Sequence, residues 1–370
     1  METNKEQALL QSYKLGDLVL RNRIVMSSLT RGRTNNEALA RTSLHTTYYS
    51  QRASAGLIIT ESVWVSKKAI GFINVPGIYS PAQVEGWKSV TTAVHAKGSK
   101  IFLQVVHSGA VSHPDFFNGE LPLGPSAINP QEKSFTPNGF KDTLTPKEYS
   151  LKDIKETIDE FKIAAQNAKA AGFDGIELHA QLFTLIPQFL SAKTNQRTDK
   201  YGGSIENRTR LLFEILDAVT EIYKSNRIGI KFTPVAFNQG IIQPDGDTIA
   251  TYGYILNRLN NYNLAYVHIV APAVNLKGTI VEKLQENYFN QFRKMYKGTL
   301  MANGGFTQET GNEIIKTGSA DVVSFGTSFI ANPDLAERFE QNIPLAIADK
   351  DTYYTGGEKG YIDYPVGTNQ

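Results

Sequence analysis

Short apolar runs alternate with longer amphipathic stretches along most of the chain. The runs are rich in Ile, Val and Leu and show little polar alternation, as expected of parallel strands buried on both faces. Eight strands are predicted in this way, at 24–28, 57–62, 101–106, 175–180, 228–234, 265–271, 299–304 and 321–326. Because about eight helical stretches alternate with them, the pattern favours an α/β fold closed into a (β/α)8 TIM barrel.

Helix start signals lie between the predicted strands. Ser80 and Pro81 open one helix, with Pro at the first helical position, and Gly98 ends it. Ser150 and Asp153 are candidate caps for a second helix. Further helices are predicted to begin at Ser204, Asp247, Glu282, Thr307 and Pro333.

Three segments lie outside a bare barrel. The residues on either side of Gly16 and Asp17 predict an N-terminal β-hairpin. Residues 107–149, rich in Pro, Gly and Asn, form a long loop insertion after the third strand, and we expect it over the C-terminal face of the barrel. Residues 343–370 form a Gly- and Tyr-rich C-terminal tail. No break in composition divides the chain, and we predict a single domain over 1–370.

Composition excludes several classes of function. The net charge of +2 argues against nucleic acid as a partner. The sequence has no apolar run of 18 or more residues, so no membrane span is predicted. With no cysteine there is no disulfide, thiolate metal site or Fe–S cluster. His107 and His113 have no metal-ligand spacing, so no metal is expected. The polar N-terminus lacks a signal-peptide pattern, which predicts a cytoplasmic protein.

Glycines end two neighbouring strands near the end of the chain. Gly304 and Gly305 follow the seventh strand, and Gly326 and Thr327 follow the eighth. Backbone N–H groups at these two places often bind phosphate in a barrel. Glycines end strands in many proteins, but the combination at strands seven and eight favours a phosphate site.

Two ionisable residues lie within predicted strands. Lys231, in the fifth strand, either points outward between helices or faces inward toward an anion, a carboxylate or a Schiff-base substrate. His179 ends the fourth strand and shares a face with Glu177, so it is either a structural group or a catalytic one. Serine-hydrolase, P-loop and Rossmann glycine motifs are absent.

Several segments together resemble the old yellow enzyme family of FMN-dependent reductases. They are 20–33, 48–62, 76–104, 107–114, 171–180, 196–210, 325–335 and 359–365, and the strings YGGSIENR and FIANPDL are the most specific. The resemblance covers nearly the whole chain. It implies non-covalent FMN as cofactor, NAD(P)H as reductant, a small-molecule substrate, and a monomer or homodimer.

The resemblance also implies where the flavin binds. Thr30 would lie near a ring carbonyl, Gln104 would bind the pyrimidine edge, and Tyr353 and Tyr354 would close over the ring or the substrate. The implied cofactor-binding residues are Ser28, Leu29, Thr30, Ser62, Gln104, Lys231, Gly304, Gly305, Gly326, Thr327 and Tyr353.

Some positions depart from the family pattern around the flavin. Lys231 stands where the family usually has Arg, which keeps the charge but loses the bidentate fork. Thr327 replaces a phosphate-binding Arg, which weakens that contact. In the substrate site, Val106 stands where a bulky aromatic residue is frequent, and Ala110 stands where Arg is common.

The substrate site departs further. In the family the run that begins with the retained histidine reads H-G-A-N-G-Y, or has a second His in place of the Asn. Here Leu182 replaces that second carbonyl donor, and Thr184 replaces the tyrosine acid. Tyr354, Gln181 or water are possible substitutes.

The resemblance implies an ene-reductase-like enzyme. Its departures from the family pattern predict an altered, more apolar substrate pocket and slow reduction of enones. Its candidate catalytic residues are His179, Thr184 and Tyr354, beside Val106, Gln181 and Leu182 in the pocket. The alternatives are a flavin-binding protein with lost or changed activity and a flavin-free lyase that uses Lys231 as a Schiff base.

Overall fold

The computed structural model describes residues 7–237, 240–354 and 356–367. Its sheet has nine strands, of which eight parallel strands form a ring that closes where the eighth pairs with the first. The ring strands are Ile24–Met26, Leu57–Ile59, Lys100–Val106, Gly175–Ala180, Ile228–Phe232, Tyr266–Val270, Leu300–Asn303 and Val322–Phe325. The ninth, Val63–Trp64, pairs with the third ring strand. The predicted barrel and its eight strands are confirmed.

Inward positions along the strands form two layers of opposite character. In the lower, apolar layer Phe102 and Tyr266 stack with ring centres 5.9 Å apart. Gly175 and Gly229 leave room for them, since a Cβ would lie 2.5 Å from the Phe102 ring and 2.2 Å from the Tyr266 ring. Two residues further along most of these strands the same face is polar. That upper layer contains Gln104, Glu177, Lys231, His268, Asn303 and Ser324.

The predicted hairpin is confirmed and closes the N-terminal end of the barrel. Tyr13–Leu15 pairs antiparallel with Leu18–Leu20 around Gly16, whose φ of +58° favours glycine. Its leucines belong to the same core cluster as the apolar layer, so the barrel is sealed below and functional groups are restricted to the opposite end.

The capping residues predicted from sequence begin most of the helices. Ser80, Ser150 and Thr307 each accept a hydrogen bond from the N3 backbone N–H. The prediction at Glu282 is corrected, because only a 3₁₀ turn begins there and the α-helix follows Asn287. The α-helices are Ser43–Gln51, Pro81–Ala96, Leu151–Ala170, Leu185–Leu190, Ile205–Arg208, Arg210–Thr220, Thr248–Leu259, Tyr288–Met295, Gln308–Lys316, Ser328–Ala331 and Leu335–Gln341.

The insertion 107–149 contains more regular structure than a loop. Lys133–Thr136 and Gly139–Asp142 form an antiparallel hairpin, and Leu123–Gly124 pairs in parallel with Lys147–Glu148. Residues 1–6 of the polar N-terminus and 368–370 of the predicted tail lie outside the described residues. Among the helices of the described ranges, none combines the length and the apolar character needed to cross a membrane.

Candidate active site

A cavity of about 810 Å³ opens at the C-terminal ends of the barrel strands. It is lined by most of the residues predicted from sequence, namely Ser28, Leu29, Thr30, Ser62, Val106, His179, Leu182, Thr184, Thr327, Tyr353 and Tyr354. A second cavity of about 260 Å³ adjoins it, since Ser28 and Thr327 line both. Lys231, Gly305 and Gly326 line this smaller cavity.

Three predicted residues are not in these linings. Gln104 is fully buried beneath the large cavity, where it is hydrogen-bonded to Ser28 and Ser62. Gly304 lies just before the lining residue Gly305. Gln181 lies elsewhere, because its Nε2 donates to Thr233 Oγ1 at 3.3 Å.

The cavity floor is built on the Gln104 side chain. Its Oε1 accepts hydrogen bonds from Ser28 Oγ and Ser62 Oγ, both at 2.6 Å. Its Nε2 donates to Glu177 Oε1, also at 2.6 Å. Gln104 therefore links three strand ends and has both polar atoms engaged.

Lys231 points into the barrel, which agrees with the inward orientation considered from sequence and not with the outward one. It is only 4% exposed, and its Nζ donates to Ser27 Oγ at 3.0 Å. Burial lowers the pKa of the ammonium group, and the charge of Glu177 opposes this effect. The group is thus a buried cation held by a hydroxyl at the edge of the smaller cavity.

His179 and Thr184 form a pair in the cavity wall. Thr184 Oγ1 donates to the carbonyl oxygen of Gln181 at 3.0 Å and lies 3.2 Å from His179 Nδ1. Since its single proton is used, Thr184 accepts from His179 Nδ1–H, which leaves Nε2 of a neutral ring as an acceptor. Burial, with a contribution from Lys231, lowers the pKa of His179 to about 3.

Two glycines in the strand ends adopt conformations that other residues avoid. Gly304 has φ of +129° and Gly305 has φ of +71°. A Cβ on Gly304 would lie 2.8 Å from Ala271 Cβ, whereas one on Gly305 would meet no atom within 4 Å. The bare backbone of Gly305 therefore faces open space in the smaller cavity, as a phosphate cradle requires.

A model of the NADH:flavin oxidoreductase / NADH oxidase family matches residues 8–346. The chain is 39% identical to 12-oxophytodienoate reductase 1 of Oryza sativa subsp. japonica over 364 residues, which cover 96% of this chain and 92% of that protein. A morphinone reductase variant in complex with tetrahydroNAD superposes with a TM-score of 0.92 at 40% identity, covering 98% of both chains. An old yellow enzyme homologue from Zymomonas mobilis superposes with a TM-score of 0.90 at 35% sequence identity. The match covers 97% of this chain and 99% of that one.

The chain belongs to the old yellow enzyme family. It is an FMN-dependent NADH:flavin oxidoreductase of the old yellow enzyme type. The two adjoining cavities fit this cofactor, since a glycine cradle meets a larger cavity whose floor offers hydrogen-bonding groups. Within the described ranges, no three His, Asp or Glu side chains form a group that could hold a metal ion.

In this old yellow enzyme an aromatic wall, not foreseen from sequence, lines one side of the large cavity. Phe72 packs edge-on against Phe135 at 5.0 Å, and Phe135 stacks on Phe140 at 4.3 Å. Tyr354 lies 6.4 Å from Phe72. Two of these rings come from the hairpin in the insertion, where Phe135 and Phe140 are register partners on its two strands. The available sequence signal was the Asn138-Gly139 turn between two short runs that each contain a phenylalanine.

Two arginines that sequence reasoning did not single out hold the tail at the cavity. Arg31 Nη2 donates to the carbonyl of Gly360 at 2.7 Å, and Arg33 Nη2 donates to that of Thr352 at 2.7 Å. Both also donate to the carbonyl of Tyr353 at 3.0 Å. These contacts fix the segment that brings Tyr353 and Tyr354 to the cavity.

Proposed function

We propose that this enzyme transfers hydride from NAD(P)H through non-covalent FMN to the β-carbon of an activated alkene. The observation that carries the proposal is the continuity of the two cavities. The glycine cradle lies at one end and His179 lies in the wall of the other. Substrate and cofactor can therefore meet face to face, as hydride transfer requires.

The cofactor position proposed from these contacts follows the strand ends. The backbone of Gly304, Gly305 and Gly326, with Thr327 beside them, would hold the phosphate, and the floor built on Gln104 would hold the ring. Bound FMN supplies the chemistry of taking hydride from a nicotinamide and passing it to the alkene. The buried charge of Lys231 favours negative charge that develops on the pyrimidine side of the ring.

His179 binds the carbonyl oxygen of the substrate in this proposal, but Thr184 restrains it. To donate from Nε2, the neutral ring must carry its proton there, so Thr184 must turn its hydroxyl toward Nδ1 and release the Gln181 carbonyl. Leu182 adds no second donor. Ordinary enones are therefore reduced slowly, and Tyr354 or water supplies the proton to the α-carbon.

The cavity favours bulky, apolar substrates. Val106, Leu182 and the aromatic wall of Phe72, Phe135 and Phe140 present apolar surface around the space above the floor. A flat substrate can stack on these rings, which stabilises binding by about 0.5–1.5 kcal/mol per aromatic pair.

Absorbance spectroscopy on purified, FMN-supplemented protein tests the function. We expect flavin bands that NAD(P)H bleaches anaerobically and that an added activated alkene restores, with FMN released on denaturation. Protein that remains colourless would contradict the flavin site. Bands that NAD(P)H cannot bleach would instead support a flavin-binding protein without turnover.

The Schiff-base alternative is tested at Lys231. We expect Lys231→Met to weaken FMN binding or lower the reduction potential, and Lys231→Arg to be tolerated, because only charge is needed at this site. Borohydride trapping of a carbonyl compound on Lys231 would contradict this assignment and favour the lyase.

A further inference from the structure

The polar layer of the barrel forms one hydrogen-bonded chain beneath the large cavity. It runs from Gln104 through Glu177 and His268 to Ser324 and Asn303. Gln104, Glu177 and His268 are fully buried. A buried carboxylate is costly unless it is hydrogen-bonded and electrostatically compensated, so its presence in the middle of this chain points to a role.

The donor and acceptor groups available on each side chain set the direction of each hydrogen bond. Asn303 Nδ2 donates to Ser324 Oγ at 2.8 Å, and the Ser324 hydroxyl donates to the nearer acceptor, His268 Nε2 at 2.7 Å, rather than to the Ala302 carbonyl at 3.4 Å. His268 Nδ1–H then donates to Glu177 Oε2 at 2.8 Å, and Gln104 Nε2 donates to Oε1. Both oxygens of Glu177 accept, which is the pattern of an ionised carboxylate.

This pattern fixes the amide of Gln104. Its NH₂ group is committed to Glu177, so its carbonyl oxygen is turned toward Ser28 and Ser62, which line the large cavity. An unrestrained glutamine amide can turn over and exchange donor for acceptor. Glu177 removes that freedom, and the cavity floor presents an acceptor.

Glu177 also provides the negative charge that faces Lys231 inside the barrel. The two residues lie on adjacent strands with side chains on the same inward face, and His179 is the register partner of Lys231. Among the described residues Lys231 makes no direct ion pair, and its Nζ is held by Ser27. Burial opposes the charged form of Glu177, but His268 and Lys231 hold the pKa of its carboxyl below the usual value.

We propose that Glu177 is a positioning residue for the flavin. Through Gln104, whose carbonyl oxygen takes the hydroxyl protons of Ser28 and Ser62, it leaves the two serine oxygens as acceptors for the pyrimidine edge of the ring, whose N3–H is a donor. Through its charge it offsets the field of Lys231 and so lowers the reduction potential of the bound cofactor. This inference rests on the cofactor position proposed above.

Glu177→Gln tests both effects, with Glu160→Gln as the control. Glu160 is a half-buried carboxylate that accepts from Ser66 outside the cavities. A glutamine at 177 cannot accept from both Gln104 and His268, so we expect the Kd for FMN to rise about tenfold, as for loss of one buried hydrogen bond. The midpoint potential should rise, because the cation is no longer offset. The control should change neither quantity.

Glu177→Asp separates the two effects and serves if the first variant does not fold. It keeps the charge but is too short to reach both partners, so FMN binding should weaken while the potential stays near the native value. Native protein that takes up no FMN would defeat the proposed function itself. Native protein that binds FMN, with unchanged Kd and potential in the 177 variants, would overturn the role of Glu177 alone.

Discussion

Leu182 adopts a left-handed backbone conformation in the cavity wall, with φ of +57°. That conformation costs an ordinary L-residue about 1–2 kcal/mol, and Asn tolerates it better than other non-glycine residues. The resemblance implies Asn or His at this position, with a side chain that is the second donor to the substrate carbonyl. Leu182 neither relieves the backbone strain nor offers a donor.

Leu182→Asn should raise the free energy of unfolding by about 1 kcal/mol, because Asn relieves the backbone strain. The measurement is urea denaturation of native and variant protein. Leu182→Ala is the control, since it shortens the side chain without favouring the left-handed region. An equal or lower stability of the Asn variant relative to the Ala variant would contradict the strain argument.

Leu182→Asn combined with Thr184→Tyr should speed alkene reduction by at least about tenfold. One positioned donor contributes about 10²–10³ in rate and one positioned acid about 10²–10⁴. The two factors need not multiply, since both residues act on one transition state. Stopped-flow measurement of both half-reactions with 2-cyclohexenone gives the comparison, and flavin reduction by NAD(P)H should change less. Native turnover already ordinary for an enzyme, about 1–10³ per second, would show that this account of the pocket is wrong.

At the scale of elements, two buried arginines hold the C-terminal tail, whose regular structure among the described residues is the 3₁₀ turn Lys350–Thr352. Arg31 and Arg33 donate to several backbone carbonyls between 352 and 360. Tyr361, within the same segment, stacks on Tyr48 with ring centres 4.0 Å apart. The tail can present Tyr353 and Tyr354 to the cavity only while these contacts hold.

Arg33→Gln should loosen the tail and raise KM for a bulky alkene more than it lowers kcat. The variant leaves buried carbonyls without donors, at a cost of about 1–3 kcal/mol each. Hydrogen exchange at Thr352–Tyr354 should quicken, because the segment loses its anchor. Arg21→Gln is the control, since Arg21 is exposed and donates to the Lys97 carbonyl. Unchanged exchange in Arg33→Gln would show that Arg31 alone holds the tail.

At the scale of the whole molecule, several buried histidines tie stability to pH, among them His45 and His107. Burial, together with Arg41 and Arg33, lowers the pKa of His45 to about 2. Burial and the charge of Lys68 lower that of His107 to about 3. The folded protein keeps both rings neutral where the unfolded chain binds protons, below about pH 6.5. Stability is therefore present above that pH and falls as the pH drops toward 3.

The free energy of unfolding should fall between pH 6.5 and 4, by up to about 1.4 kcal/mol per pH unit for each histidine. Denaturation at stepwise pH measures the slope. His107→Asn should reduce the slope, because Asn binds no proton in this pH range. Its Oδ1 can still accept from the Gly109 N–H that donates to His107 Nδ1 at 2.9 Å, which preserves the local structure. A slope identical to that of native protein would refute the contribution of His107.

Much of the fold was predictable from sequence alone. Strand positions follow from apolar runs, and caps such as Ser80 and Ser150 use hydrogen bonds within a few residues, so neither depends on distant parts of the chain. The helix predicted at Glu282 begins later, because Asn287 adopts a left-handed conformation before it. Local patterns specify an element better than its first residue.

Most of the residues that line the cavities were also predictable from sequence, because the C-terminal ends of barrel strands converge on one face. What the tertiary structure alone decided is which groups are engaged with one another. The Gln104–Glu177–His268 chain and the arginine anchors join residues from distant strands and loops, and the Thr184–His179 pair depends on how the segment after the fourth strand turns back. A hydrogen bond is set by distances of a few tenths of an ångström between side chains, and these depend on barrel closure and register rather than on any local sequence pattern.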